Sequence, residues 1–189
     1  MIQYVVGAAA VAVGAAAWFY RRKVVEPANS AQEGIAAVNE PTWDDTGSLY
    51  SWLGMKYNYG YGTPKTTPEE AWKDGVDCSG FAQFALAEMG LLDRNYPDRT
   101  STTLGDDCDA IEIGQQEPGD LAFYDGHVMV VATFPDAGLD GHSAVIGASG
   151  GDSSTKGDNP NACIKQFETA LYRDDFLTYG RLKEGKAWL

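Results

Sequence analysis

Two residue types in this chain can carry nucleophilic chemistry, and both are scarce: three cysteines, Cys78, Cys108 and Cys163, and two histidines, His127 and His142. Cys78 stands in VDCSGF, where a loop gives way to a predicted helix. A helix start offers unpaired backbone amides and the positive end of the dipole, which favour a thiolate over a thiol. The competing account of a lone cysteine there is a small buried apolar residue. A thiol nucleophile needs an imidazole to hold and return its proton, so the partner is His127 or His142. His127 follows the Asp125-Gly126 turn and heads the apolar strand VMVVA, whereas His142 lies in the Gly-flanked loop DAGLDGHS, where an exposed side chain is expected. The assignment falls on His127. No CxxC or HExxH spacing offers a metal a closed ligand set, and no cofactor is implied. A disulfide between Cys108 and Cys163 stays open beside the preferred reading of two small buried hydrophobes.

The elements that must position these residues come as helices first and strands afterwards. A short helix is predicted over 46–55, with Leu49, Trp52 and Leu53 on one face, and a Tyr, Gly and Pro-rich loop over 56–76. Asp77 caps the next helix, which carries Phe81, Phe84, Ala85 and Met89 at helical spacing and stops at Gly90. After a second loop, strands are predicted over 121–124 and 128–133 around the Asp-Gly turn, then over 144–148, 162–167 and 176–182. The result is an α+β domain with its helix on an antiparallel sheet. The GASGG run at 147–151 lacks a lysine and a following helix, so it reads as a turn and not a phosphate loop.

Four segments in order resemble the NlpC/p60 family of papain-like cysteine peptidases, which cleave peptide stems of bacterial cell walls. They are Tyr57-Asn58-Tyr59-Gly60, Asp77-Cys78-Ser79-Gly80, Pro118-Gly119-Asp120-Leu121 and His127-Val128, with Arg99-Thr100-Ser101 and Tyr179-Gly180-Arg181 as further likenesses. The match covers roughly 46–183. The resemblance implies that Cys78 is the nucleophile, His127 the base, and Tyr57 the tyrosine beside the sulfur that helps hold oxyanion or substrate. Backbone amides at Cys78 and Ser79 are candidate oxyanion donors. The resemblance also implies a third polar residue on the strand after the His-Val strand, orienting the imidazole. In this chain that position aligns with Gly147, which has no side chain, so the orienter is absent, replaced by a carbonyl or water, or supplied by His142, Ser149 or Asp152.

Outside this domain, the run from Ile2 to Tyr20 has no charge, and its 19 residues would span ~28 Å as a helix, close to a bilayer's ~30 Å core. Trp18, Phe19 and Tyr20 followed by Arg21, Arg22 and Lys23 fit an aromatic belt and headgroup anchor. The expected organisation is therefore a single transmembrane anchor over 1–23, a linker over 24–45 and the hydrolase domain over 46–189. Gly7, Ala10 and Gly14 suit packing against partner transmembrane helices.

The chain holds 14 Lys and Arg against 27 Asp and Glu, a net charge of -13; without the three cations at 21–23, the remainder carries 11 minus 27, or -16. That balance excludes a nucleic-acid partner. The expected activity is hydrolysis of a peptidoglycan stem amide. The alternatives are a papain-like amidase or lipid acyltransferase, or a membrane-anchored structural protein with a degenerate domain. The positive-inside rule puts the domain on the cytoplasmic side, away from the wall. A bacteriophage particle that must breach a wall would reconcile anchor and hydrolase, so the expected location is a host envelope or a virion.

Overall fold

Side chains that satisfy orphan amides set the helix boundaries. The computed structural model describes residues 47–183. The first helix, α1, covers Gly47–Tyr50, four residues and not the ten expected. Leu49 and Trp52 are buried from this segment, but Leu53 is 38% exposed, so it does not share their face. A second helix, α2, Pro68–Asp74, stands inside the segment expected to be loop. Its Thr67 hydroxyl accepts from the Glu70 amide while the Glu70 carboxylate accepts from the Thr67 amide, a capping box with Pro68 at the first helical position. The TPEE signal was present in the sequence and outweighed the surrounding Gly and Tyr.

Helix α3, Cys78–Glu88, begins where expected, and Asp77 Oδ1 accepts the Gly80 amide at 2.7 Å. Gly80 to Ala87 are all buried, so the helix is buried around its whole girth and not on one stripe. The region expected as a second loop holds α4, Ser101–Asp106, capped by Thr100, and an edge strand β1, Cys108–Ile111.

The remaining strands are β2, Leu121–Tyr124; β3, His127–Val131; β4, Val145–Ser149; β5, Cys163–Phe167; and β6, Phe176–Leu182. They form one antiparallel sheet in the order β1-β6-β2-β3-β4-β5. Helix α3 lies on β3 and β4. One core fills the space between them, with Phe81, Phe84 and Leu86 from the helix against Leu121, Val128, Val130, Ile146 and Ile164. A second cluster, Tyr124, Met129, Val131, Val145 and Tyr179, covers the opposite face. Burial on both faces explains why β2 and β3 read as continuous apolar runs and not as alternation.

Cys108 and Cys163 sit on the first and last strands of this order, so five strand spacings of ~4.8 Å separate them and no disulfide joins them within one chain. The GASGG run ends β4 and turns at Gly150, whose φ of +87° suits glycine. Among the described residues no helix is long and apolar enough to cross a membrane. The expected span at 2–20, its basic flank and the linker lie outside the described residues.

Candidate active site

Asp77 organises the entrance to the site. Beyond capping α3, its Oδ2 accepts the Gly60 amide at 2.8 Å, its Oδ1 accepts the Ser79 hydroxyl at 3.1 Å, and its own amide donates to the Tyr61 carbonyl at 2.9 Å. One carboxylate thus fixes both the helix start and the 57–62 loop. Gly80 is required by this approach: a Cβ there would lie 2.1 Å from the Tyr61 carbonyl oxygen.

Cys78 is the first residue of α3 and is partly buried. Burial pushes its thiol up to about 11, with the Asp77 charge adding to the rise; hydrogen bonds from the backbone amides of Val128, Ser79 and Cys78 itself act in the opposite direction. The helix start supplies its amides as the sequence suggested, but desolvation outweighs them, so the resting sulfur is a thiol and not a thiolate. The Val128 amide brings the head of β3 against the sulfur, and the residue before it is His127.

The His127 imidazole is 9% exposed, and burial lowers its pKa to about 4, aided by repulsion from Arg173 and opposed by Asp175. Its Nε2 lies 3.2 Å from the Tyr172 hydroxyl. No hydrogen bond joins the Cys78 and His127 side chains among the described residues. Tyr57, 5% exposed, lies beside Cys78 and packs across Gly151, where a Cβ would stand 2.4 Å from its ring. Burial first, then the neighbouring Cys78 and Asp77, raises the Tyr57 hydroxyl well above its usual range, so it remains a donor.

The candidate orienters separate. Asp152 is exposed and spends its carboxylate on its own turn, accepting from the Ser154 amide at 2.8 Å and hydroxyl at 2.6 Å. His142, expected to be exposed, is 5% exposed: its Nδ1 lies 3.0 Å from the Tyr179 hydroxyl and its ring meets Phe176 edge-on. The loop around it folds back because the Asp136 amide donates to the His142 carbonyl, closing the hairpin that the glycines had suggested was open. Ser149, at the end of β4, acts on the Tyr172 hydroxyl, lowering its pKa against the rise from burial. Gly147 stands opposite Met129, and a Cβ there would lie 2.5 Å from the Met129 sulfur.

Two further residues escaped the sequence reading. Gln83, fully buried in α3, accepts the Arg99 amide at 2.9 Å and donates to the Arg99 carbonyl at 2.8 Å, pinning the Arg99-Thr100-Ser101 loop to the helix that Cys78 opens. Tyr172, in a one-turn 3-10 segment between β5 and β6, reaches His127 across 45 residues of sequence, a separation no spacing rule signals. Arg181 closes the frame with a two-pronged contact to Asp120, at 2.7 and 2.6 Å.

Residues 54–166 match the model of the NlpC/P60 family, more than half of the chain, and the chain belongs to that family. No curated protein matches it. Among solved structures it is similar to the peptidoglycan hydrolase RipB from Mycobacterium tuberculosis, at 22% identity over 75% of this chain and 65% of that one, with a TM-score of 0.47. It is also similar to NlpC2 from Trichomonas vaginalis, at 18% identity over 74% of this chain and 46% of that one, with a TM-score of 0.50. A third is the P60 domain of an antigen from M. avium subspecies paratuberculosis, at 22% identity over 74% and 93%, with a TM-score of 0.47. The chain thus spans less than two thirds of the length of the first two, and at these identities the likeness is one of fold.

Proposed function

We propose that the chain is a thiol hydrolase that cleaves an amide bond in the peptide stem of bacterial peptidoglycan, with Cys78 as nucleophile and His127 as base. The observation that carries this reading is the Cys78 sulfur at the start of α3, met by the amides of Val128, Ser79 and Cys78 itself within the segment that defines the family. With a resting thiol and a neutral imidazole, the proton leaves Sγ for His127 as the sulfur attacks the amide carbon. The imidazolium then protonates the leaving amine, giving an acyl-enzyme, and water activated by His127 releases the acid. The amides at Cys78 and Ser79, with the Tyr57 hydroxyl, are the donors available to the tetrahedral oxyanion.

Residues 2–20 would anchor this domain in a membrane, and a wall-breaching bacteriophage particle is the setting that fits both parts. Fractionation of host envelope and purified particles tests that placement. The activity is tested by incubating the full chain with purified peptidoglycan and weighing the released fragments by mass spectrometry. Cys78→Ala should abolish release and keep the fold, while Cys108→Ala and Cys163→Ala should stay active. Equal loss in all three would remove the mechanism, and an inert wild-type chain would favour the structural alternative.

A further inference from the structure

The imidazole of a general base has to be held so that the lone pair of one nitrogen faces the nucleophile's proton. In this sheet the neighbouring strand cannot do so. Antiparallel pairing of β3 with β4 matches Val130 to Ile146, which sets Met129 opposite Gly147, and the Met129 thioether fills the volume a side chain at 147 would need. The ring is instead met from the far side of the sheet edge. Tyr172 Oη lies 3.2 Å from His127 Nε2. Its ring is stacked on Phe167 at 3.7 Å between centroids and 12° between planes, and Tyr124 meets it edge-on at 5.5 Å. Arg173 and Ser149 also act on its hydroxyl, favouring the oxygen's negative charge against the rise from burial, and Arg173 is paired with Asp175. A side chain stacked on one ring, met edge-on by a second and held at its polar tip is a rigid mount.

We propose that Tyr172 is the positioning residue for His127, holding Nε2 so that Nδ1 is the ring nitrogen left to take the Cys78 proton. This rests on the Cys78–His127 reading above. The proton bookkeeping fixes the direction of each bond. To receive the Cys78 proton, Nδ1 must be bare, so the neutral ring carries its proton on Nε2 and donates it to Tyr172 Oη. The Tyr172 O–H keeps its own proton throughout. When the Sγ–H bond breaks and the proton joins Nδ1, the Nε2–H bond to Oη persists and strengthens, because its donor has become cationic. No other group changes its proton.

The test compares the full chain with Tyr172→Phe, which keeps the stacked ring and removes only the hydroxyl. On purified peptidoglycan, kcat should fall about ten-fold with KM unchanged, the scale of one hydrogen bond lost in the transition state. The thermal midpoint should stay close to that of the wild type. Ser149→Ala, acting at one remove, should lower kcat by about two- to three-fold. Nitrogen NMR of the two histidine rings gives a readout that packing alone would not move: His127 should be the Nε2–H tautomer in the wild type and a mixture in Tyr172→Phe. An Nδ1–H ring in the wild type, or an unchanged kcat in Tyr172→Phe, would overturn the proposal. Failure of the wall-hydrolase reading looks different, because the wild type itself would then be inert. In that case the rate of Cys78 alkylation by iodoacetamide, located by peptide mass, replaces turnover: a drop of about ten-fold in Tyr172→Phe supports the mount and an equal rate refutes it.

Discussion

At the scale of single residues, burial acts on both groups of the proposed Cys-His pair in the same sense. It raises the Cys78 thiol and lowers the His127 imidazole, so both rest uncharged in a dry site and charge forms only as the proton crosses. This has a consequence for stability. The unfolded chain protonates His127 near its ordinary 6.5, and the folded chain only near 4, so the unfolded state binds the extra proton between those values. The stability associated with a neutral His127 is complete above about pH 6.5 and is lost as pH falls toward 4. Urea unfolding at pH 7 and pH 4.5 should therefore show the wild type losing roughly 2 to 3 kcal/mol more than His127→Gln. Identical losses would mean the ring is not buried neutral. His142 gives the opposite kind of prediction. Its bond to Tyr179 and its edge contact with Phe176 make it a core residue, so His142→Ala should cost about 2 to 3 kcal/mol in urea unfolding while kcat per folded molecule stays within three-fold of the wild type.

At the scale of elements, the sequence was most legible where one local rule decided the outcome. Asp77 before an apolar helix, the Asp125-Gly126 turn and the β-branched runs at 128–131 and 145–146 each carry their own signal, and α3, β2, β3 and β4 formed there. β1 was illegible because CDAI has no apolar alternation; it exists because it pairs with β6, Cys108 opposite Leu182. The placement of Cys78 at a helix start and of His127 at a strand head was readable from the cap and turn beside them, while the approach of Tyr172 to His127 was not, since only the folded sheet brings its 3-10 turn there. Gly147, the aligned orienter position, also has no room to spare, because its cross-strand neighbour Met129 fills the space beside it. Gly147→His alone should therefore lower stability and fail to raise kcat. Gly80 makes the sharper test of close approach. The Tyr61 carbonyl that blocks a side chain there belongs to the loop carrying Tyr57, so Gly80→Ala must push that loop off α3. The expected result is a loss of about 2 to 4 kcal/mol in denaturant unfolding together with most of the activity. A variant as stable and active as the wild type would show that the loop does not need this contact.

At the scale of the whole molecule, net charge bears on how the domain would meet the proposed wall substrate. Residues 24–189 carry 11 cations against 27 carboxylates, a surplus of -16, and a cell wall bearing anionic polymers repels such a surface before any specific contact forms. Repulsion between solvated charges is long-ranged only at low ionic strength, where the screening length is ~30 Å at 0.01 M and shortens to ~10 Å at 0.1 M. Encounter with a teichoic-acid-bearing wall should therefore speed up with added salt, the reverse of the response of a basic hydrolase. Raising salt over that tenfold range should increase kcat/KM on intact anionic walls by about two- to five-fold, and leave it nearly constant on a small soluble stem peptide. The contrast between the two substrates isolates the whole-molecule term, because the site residues and their burial are common to both. Tight wall binding at low salt that weakens as salt is added would mean that a local cationic patch, not the net charge, governs the encounter.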